Sequence, residues 1–250
     1  MSQAISYSII IPVYNEEAVI QETYRRLTRV MQLNAEPYEL LFVNDGSQDR
    51  TAEMIQEFAV ADEQVKLLDF SRNFGHQIAI TAGMDYARGD AVVIIDADLQ
   101  DPPELIPEMI AKWKAGYEVV YAKRLSRQGE TTFKKWTAAL FYRTLRRLTE
   151  VNIPLDTGDF RLMDRKVCEA MKDIHEKNRF VRGLISWVGF RHTAVEYVRE
   201  KRFAGETKYP LTKMLHFAMD GITSFSYKPL KLAMYLGVMV SFISLVYLLI

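Results

Sequence analysis

The stretch AVVIIDADLQDPPE occupies residues 91–104, and its reading decides the rest of the chain. A short apolar run rich in β-branched side chains leads straight into paired carboxylates and then a proline pair. An apolar run of that length fits a buried strand of a parallel sheet. Pro102-Pro103-Glu104 is ordinary helix-start chemistry. The same design recurs outward from this point. Residues 8–12, 39–44, 65–70, 91–96 and 119–122 are short and apolar, and 16–33, 49–61, 76–87 and 103–115 are amphipathic. This alternation predicts βαβ units, an α/β fold with a mostly parallel sheet flanked by helices. Ligands of such sheets bind beyond the carboxyl ends of strands. Polar residues gather at those predicted ends: Tyr14-Asn15-Glu16, Asn44-Asp45-Gly46-Ser47, Ser71-Arg72-Asn73 and Asp96-Ala97-Asp98.

Asp96 and Asp98 stand at i and i+2, so an extended backbone points both carboxylates the same way. Two carboxylates so placed can share a hard divalent cation whose remaining positions take diphosphate oxygens. Acidic residues also decorate strand-to-helix turns, and D-x-D is a short pattern. Its place after a buried strand favours the metal. Gln100 would add a neutral oxygen or a hydrogen bond.

Other chemistries are excluded by what the chain lacks. Lys plus Arg and Asp plus Glu are both 32 in 250 residues, so no net positive charge draws it to nucleic acid. There is no G-x-G-x-x-G, no G-x-x-x-x-G-K-[ST] and no G-x-S-x-G. The single cysteine, Cys168, can form neither an internal disulfide nor a zinc site, and it reads as a core residue. His76, His175, His192 and His216 lack metal-binding spacing and read as structural.

The second half is less regular. Residues 133–148 (FKKWTAALFYRTLRRL) carry apolar residues near helical spacing among Lys and Arg, a basic amphipathic helix suited to a lipid interface. Residues 211–225 repeat the design. Residues 232–250 then run without a charge, and at 1.5 Å per residue they reach about 28 Å, close to the hydrocarbon core of a bilayer. Lys228 and Lys231 precede the run, which places residues 1–230 on the cytoplasmic side. The chain ends inside the run, as a membrane protein cut within its first span would. The division expected is 1–125, 126–209, a juxtamembrane helix at 210–227 and a transmembrane helix at 228–250.

IIIPVYNE, VNDGSQDRT, SRNFGHQ, DADLQDPPE, DTGDFRLMD and RFAGETKYP, in this order, resemble the polyprenyl-phosphate glycosyltransferases of glycosyltransferase family two. Their fold is GT-A, a Rossmann-like α/β architecture. The likeness is closer to bactoprenol glucosyltransferases than to dolichyl-phosphate mannose synthases, and it covers essentially the whole chain. It implies that Pro12, Tyr14 and Glu16 line a nucleoside pocket and that Asp45 contacts the base or ribose. Asp96, Asp98 and Gln100 would hold Mg²⁺ or Mn²⁺ on the donor diphosphate. Arg124 would contact phosphate near the reacting centre, and Asp159 would face the sugar or the attacking group. Arg202 and Lys208 would belong to a loop closing over both substrates.

The activity implied is inverting transfer of one sugar, glucose from UDP-glucose first among the donors, to polyprenyl phosphate at the cytoplasmic face of a bacterial plasma membrane. Homo-oligomerisation is also implied. GDP-mannose or a modified sugar as donor is the alternative, as is a non-catalytic anchor that binds nucleotide sugars. The Q-x-x-R-W string of processive synthases is absent. The family usually carries two transmembrane helices, whereas this chain ends within the first.

Overall fold

The computed structural model describes residues 5–125, 157–174, 176, 179–198 and 228–249. β1 (Tyr7–Val13), β2 (Tyr38–Asn44), β3 (Val65–Asp69) and β4 (Ala91–Ile94) pair in parallel. Between them come α1 (Ile20–Asn34), α2 (Thr51–Ala61) and α3 (His76–Tyr86). A 3-10 turn at Pro103–Leu105 leads into α4 (Ile106–Lys114) and β5 (Val119–Arg124). β6 (Thr157–Asp164), α5 (Arg165–Lys172), α6 (Val181–Trp187) and β7 (His192–Tyr197) follow. Strand order is β3-β2-β1-β4-β6-β5-β7, with β6 antiparallel to β4 and β5 and the remaining pairs parallel.

The apolar runs became strands because both faces of the sheet are covered. Every residue of β1 is buried. Tyr7, Ile9, Ile11 and Val13 join a core with Leu27 and Met31 of α1, Ile55 of α2 and Met109 of α4. Ile10 points the other way, against Gly83 of α3, where a methyl group would collide with it. The glycine lets α3 lie close on the sheet.

Chain direction reverses its winding at β1, which lies between β2 and β4. This is the switch point where an open α/β sheet leaves a crevice. Residues beyond 126, read from the sequence as irregular, supply β6 and β7 to the same sheet. The pairing of Ile94 with Arg161 runs antiparallel, so two residues onward Asp96 and Asp159 come to face each other.

Contacts divide the chain into two compact units, residues 1–130 with 154–208, and residues 131–153 with 209–250. The first holds the sheet. The second contains α7 (Lys228–Leu249), 22 residues whose large apolar side chains, among them Leu236, Phe242 and Leu248, are exposed. Side chains of α7 are described without a break only over residues 233–249, about 25 Å of helix. Among the described residues no helix is long and apolar enough to cross a membrane. The basic helix expected at 133–148, the juxtamembrane helix at 210–227, and Arg202 and Lys208 lie outside the described residues.

Candidate active site

A cavity of about 390 Å³ opens beyond the ends of β1, β2 and β3, lined by Tyr14, Asn44, Gly46, Asp69, Ser71 and Arg72 among others. Its walls are tied together by side chains of the strand-end loops. Asn15 N–H donates to Ser47 Oγ (2.9 Å), and Gln48 N–H donates to Asn15 Oδ1 (2.8 Å). Glu16 N–H donates to Thr51 Oγ1 at 2.8 Å. Asn44 Nδ2 donates to Asp69 Oδ1 at 2.7 Å. Asp45 is 3% exposed, and its carboxylate accepts from the N–H groups of Phe74 (2.7 Å) and Gly75 (3.0 Å). It therefore organises the loop that delivers His76 at the start of α3. Tyr14 lines the cavity, Pro12 is buried in β1, and Glu16 begins the turn into α1.

Asp96 and Asp98 stand on the loop after β4. Two hydrogen bonds and a buried side chain brace that loop. Thr23 Oγ1 donates to Ala97 O (2.7 Å), Gln100 N–H donates to Asp98 Oδ1 (3.1 Å), and Leu99 is buried at a φ of 56°. A non-glycine residue in the left-handed region holds strain, which such loops keep where a side chain has to be aimed. Asp96 Oδ1 is buried without a hydrogen bond. Burial lifts the Asp96 carboxyl to about 6, the nearby charge of His76 opposing and Asp159, Asp101 and Asp98 reinforcing the rise.

Asp159 faces this loop from β6. Arg182 on α6 grips it with two bonds, Nε to Oδ1 at 2.7 Å and Nη2 to Oδ2 at 2.8 Å. His76 Nε2 lies 3.2 Å from Asp159 Oδ2 and 3.5 Å from Asp96 Oδ1, bridging the two carboxylates. Burial alone would raise the Asp159 carboxyl, but the guanidinium of Arg182 and the bond with His76 hold it well below the usual carboxylate range. Burial likewise opposes charge on His76, and the bond to Asp159 with the charges of Asp96 and Asp159 overcomes it, bringing the imidazole to about 9. Arg161, two residues on, is buried and donates to Gly158 O at 2.7 Å. Its burial brings the guanidinium down to about 10.

A second buried cluster braces the far side. Asp101 is 1% exposed, accepts from the Tyr197 hydroxyl and lies 3.4 Å from Arg124 Nη2. Arg124 Nε also donates to the Tyr197 oxygen at 3.0 Å. Burial disfavours the Arg124 cation, and the Asp101 charge outweighs it, raising the group above its ordinary value. The expected phosphate ligand Arg124, at the end of β5, is thus anchored by Asp101 of the acidic loop and by Tyr197 at the end of β7.

Of the residues expected from the sequence, the structure sets Asp96, Asp98 and Gln100 on one loop, Asp159 opposite Asp96 across His76, and Tyr14 in the cavity lining, from which Pro12, Glu16 and Asp45 are absent. His76 is a correction: read as structural, it sits between two of the expected site carboxylates. Its place in SRNFGHQ, just past a strand end, was the available signal. Arg182, Asp101 and Tyr197 were missed. Asp101 lies inside the string DADLQDPPE, whereas Arg182 belongs to no string or spacing that marks it.

The orphaned Asp96 oxygen beside Asp98 suits a hard divalent cation, whose charge would relieve the cost of burying the carboxylate. Among the described residues no group of three or more His, Cys, Asp or Glu side chains is arranged to hold a metal. Two carboxylates alone leave most of an octahedral shell for water and substrate oxygens, the pattern of Mg²⁺ sites that close on a diphosphate.

Residues 8–171 match the family described as Glycosyl transferase family 2. An uncharacterized glycosyltransferase of Bacillus subtilis, YkcC, is 69% identical over 96% of this chain and 75% of its own length. The bactoprenol glucosyl transferase of Shigella phage SfV is 44% identical over 96% of this chain and 78% of its own. Among solved structures, glucosyl-3-phosphoglycerate synthase from Mycobacterium tuberculosis, in complex with Mn²⁺, UDP-glucose and phosphoglyceric acid, superposes with a TM-score of 0.55 at 21% identity. That match covers 86% of this chain and 76% of the synthase. A mannosyltransferase from Pyrobaculum calidifontis, in complex with GDP-Man and Mn²⁺, gives 0.54 at 20% identity over 79% of this chain and 56% of its own. At these identities the structures establish the α/β GT-A fold.

Proposed function

Because this chain belongs to glycosyl transferase family 2 and is a glycosyltransferase, we propose that it transfers one sugar, with inversion, from a nucleoside diphosphate donor to a polyprenyl phosphate. Glucose from UDP-glucose is the donor we favour, since the relatives named bactoprenol glucosyl transferase align over nearly the whole chain. One observation carries the reading: Asp159, kept ionised and fixed by Arg182, is linked through His76 to Asp96 on the acidic loop after β4.

In the transfer, an oxygen of the acceptor phosphate forms the new bond to the anomeric carbon. The bond from that carbon to the donor diphosphate breaks, and the nucleoside diphosphate leaves with the electron pair. A phosphate monoester with a second pKa near ~6 is already largely dianionic at neutral pH. It needs no general base. A carboxylate held as low as Asp159 is a poor base, which suits a group that orients sugar or acceptor without taking a proton. The cavity lined by Tyr14 would hold the nucleoside, with Asp45 ordering the loop at Phe74 and Gly75 while Pro12 and Glu16 lie outside its lining. Asp96 and Asp98, with Gln100 beside them, would hold Mg²⁺ or Mn²⁺, which when bound supplies positive charge to the leaving diphosphate. Two anions have to meet here, and Arg124, His76 and Arg182 bring positive charge to the crevice. Arg202 and Lys208 would add to it from a closing loop.

The exposed apolar side chains of α7 over residues 233–249, taken with the charge-free residues 232–250, support a membrane anchor that keeps the catalytic unit at the cytoplasmic face of a bacterial plasma membrane. The helices expected at 133–148 and 210–227 would present the lipid head group, and homo-oligomerisation would gather several sites on one patch of membrane. The test is an organic-phase extraction assay in detergent with undecaprenyl phosphate, Mn²⁺ and labelled UDP-glucose or GDP-mannose. Metal-dependent label from UDP-glucose in the lipid phase is expected. Label from GDP-mannose alone would replace the donor, and label from no nucleotide sugar would overturn the reading.

A further inference from the structure

The contacts on Asp159 form a closed circuit. Arg182 holds both of its oxygens, and His76 lies against one of them. His76 and Gln77 are consecutive residues at the start of α3. Gln77 Oε1 accepts the backbone N–H of Val181 at 3.0 Å, satisfying one of the donors that a helix start leaves free. Val181 is the residue before Arg182. From Asp159 the circuit therefore passes through Arg182, Val181, Gln77 and His76 and returns to Asp159, joining β6, α6 and α3.

Asp159 is 4% exposed, so its charge costs desolvation that a partner has to offset. A lysine would supply that charge as a point. The guanidinium of Arg182 does more, since two parallel bonds fix how the carboxylate plane is turned. Arg182 also reaches the carbonyl of Thr157 at 3.4 Å, on the same strand as its partner.

We propose that Arg182 is a positioning residue for the transfer. Its two-bond grip, closed through Gln77 and His76, sets the face that the Asp159 carboxylate presents to the reacting groups. The inference rests on the transferase reading above and deepens it. Arg182 acts through Asp159, so its effect belongs to turnover and disappears once the Asp159 charge is gone. A purely structural ion pair would give losses indifferent to that charge.

The test is a double-substitution cycle on the full chain in detergent, with steady-state kinetics for donor and acceptor in the extraction assay. Arg182→Lys is expected to lower kcat about 10- to 100-fold with donor KM changed less than about twofold. In an Asp159→Asn background the same change is expected to alter kcat less than about threefold. Gln77→Ala opens the circuit without touching Asp159 and is expected to lower kcat by about three- to tenfold. Equal losses with and without the Asp159 charge, or unchanged kcat in Arg182→Lys, would overturn the proposal. A readout free of turnover accompanies the kinetics. In protein carrying ¹⁵N-histidine, Arg182→Lys is expected to move the His76 Nε2 resonance and leave that of His192 in place. An unmoved His76 signal breaks the circuit. If wild-type protein transfers no sugar, the transferase reading falls while the imidazole signal still decides the coupling.

Discussion

Gly158 and Arg124 occupy adjoining space with no room between them: a Cβ at Gly158 would stand 2.7 Å from Arg124 Nη2 and 3.5 Å from Asp101 Oδ2. The absent side chain lets the guanidinium reach the acidic loop. Gly158→Ala is expected to push Arg124 away from Asp101 and cost about 10-fold or more in kcat, because misplacement of a positioned group by an ångström is enough for such a loss. The arginine tip is flexible, so the fold survives. Extraction-assay kinetics beside a thermal melt check this, and an unchanged kcat would count against a role for Arg124 near the phosphate.

Gly46 meets a harder wall. It lies at φ +67°, and a Cβ there would strike the backbone of Arg72 and Asn73, the nitrogen of Asn73 at 2.6 Å. Backbone cannot swing aside. Gly46→Ala is expected to cost about 1–3 kcal/mol of stability and to weaken binding of UDP by opening the cavity. Chemical denaturation and calorimetric titration with UDP measure the two effects, and both are expected together.

The Asp96 carboxyl, partly exposed but with Oδ1 buried and unbonded, gives a pH signature in metal-free protein. Its folded pKa, about 6, lies above the unfolded carboxylate value. Between those values the native state holds a proton that the unfolded chain lacks, so this group adds stability as pH falls through the window. Above about 6 the charge is a net cost. In EDTA at pH 7.5, Asp96→Asn is therefore expected to melt higher than wild type, with the advantage shrinking toward pH 4. Melting curves across that range check it. The same substitution is expected to lower metal-supported transfer by at least about 100-fold, as loss of several kcal/mol of leaving-group stabilisation requires.

Cys168 is fully buried in α5, and burial pushes its thiol up to about 12. Iodoacetamide at pH 8 is expected to leave the native protein unmodified and to add one group per chain in urea, read by intact mass. Modification of the native form would show that α5 opens readily.

The parallel half of the fold was legible because its signal is local. An apolar run of five or six residues, closed by a polar cluster, marks β1, β2, β3 and β4 within a short window. Asp96 and Asp98 were readable for the same reason, since two residues on one strand end share a direction. Asp159 was reached through the string DTGDFRLMD, yet nothing there indicated that the strand would run backward between β4 and β5. That placement depends on register with Ile94 and Tyr121, distant in sequence. His76 was discounted because one histidine at a helix start resembles any other until Asp96 and Asp159 arrive beside it. Arg182 left no trace in its own neighbourhood. Its importance lies wholly in a carboxylate 23 residues away.

The antiparallel strand β6 pairs with β4 on one edge and β5 on the other. It has no complete place to dock until both are made, and each precedes it along the chain. A nascent polypeptide leaving the ribosome could therefore build the cavity lined by Tyr14 from its first 125 residues while still lacking Asp159 and Arg182. On the proposed function, the donor side would then be ready before the carboxylate that faces it exists.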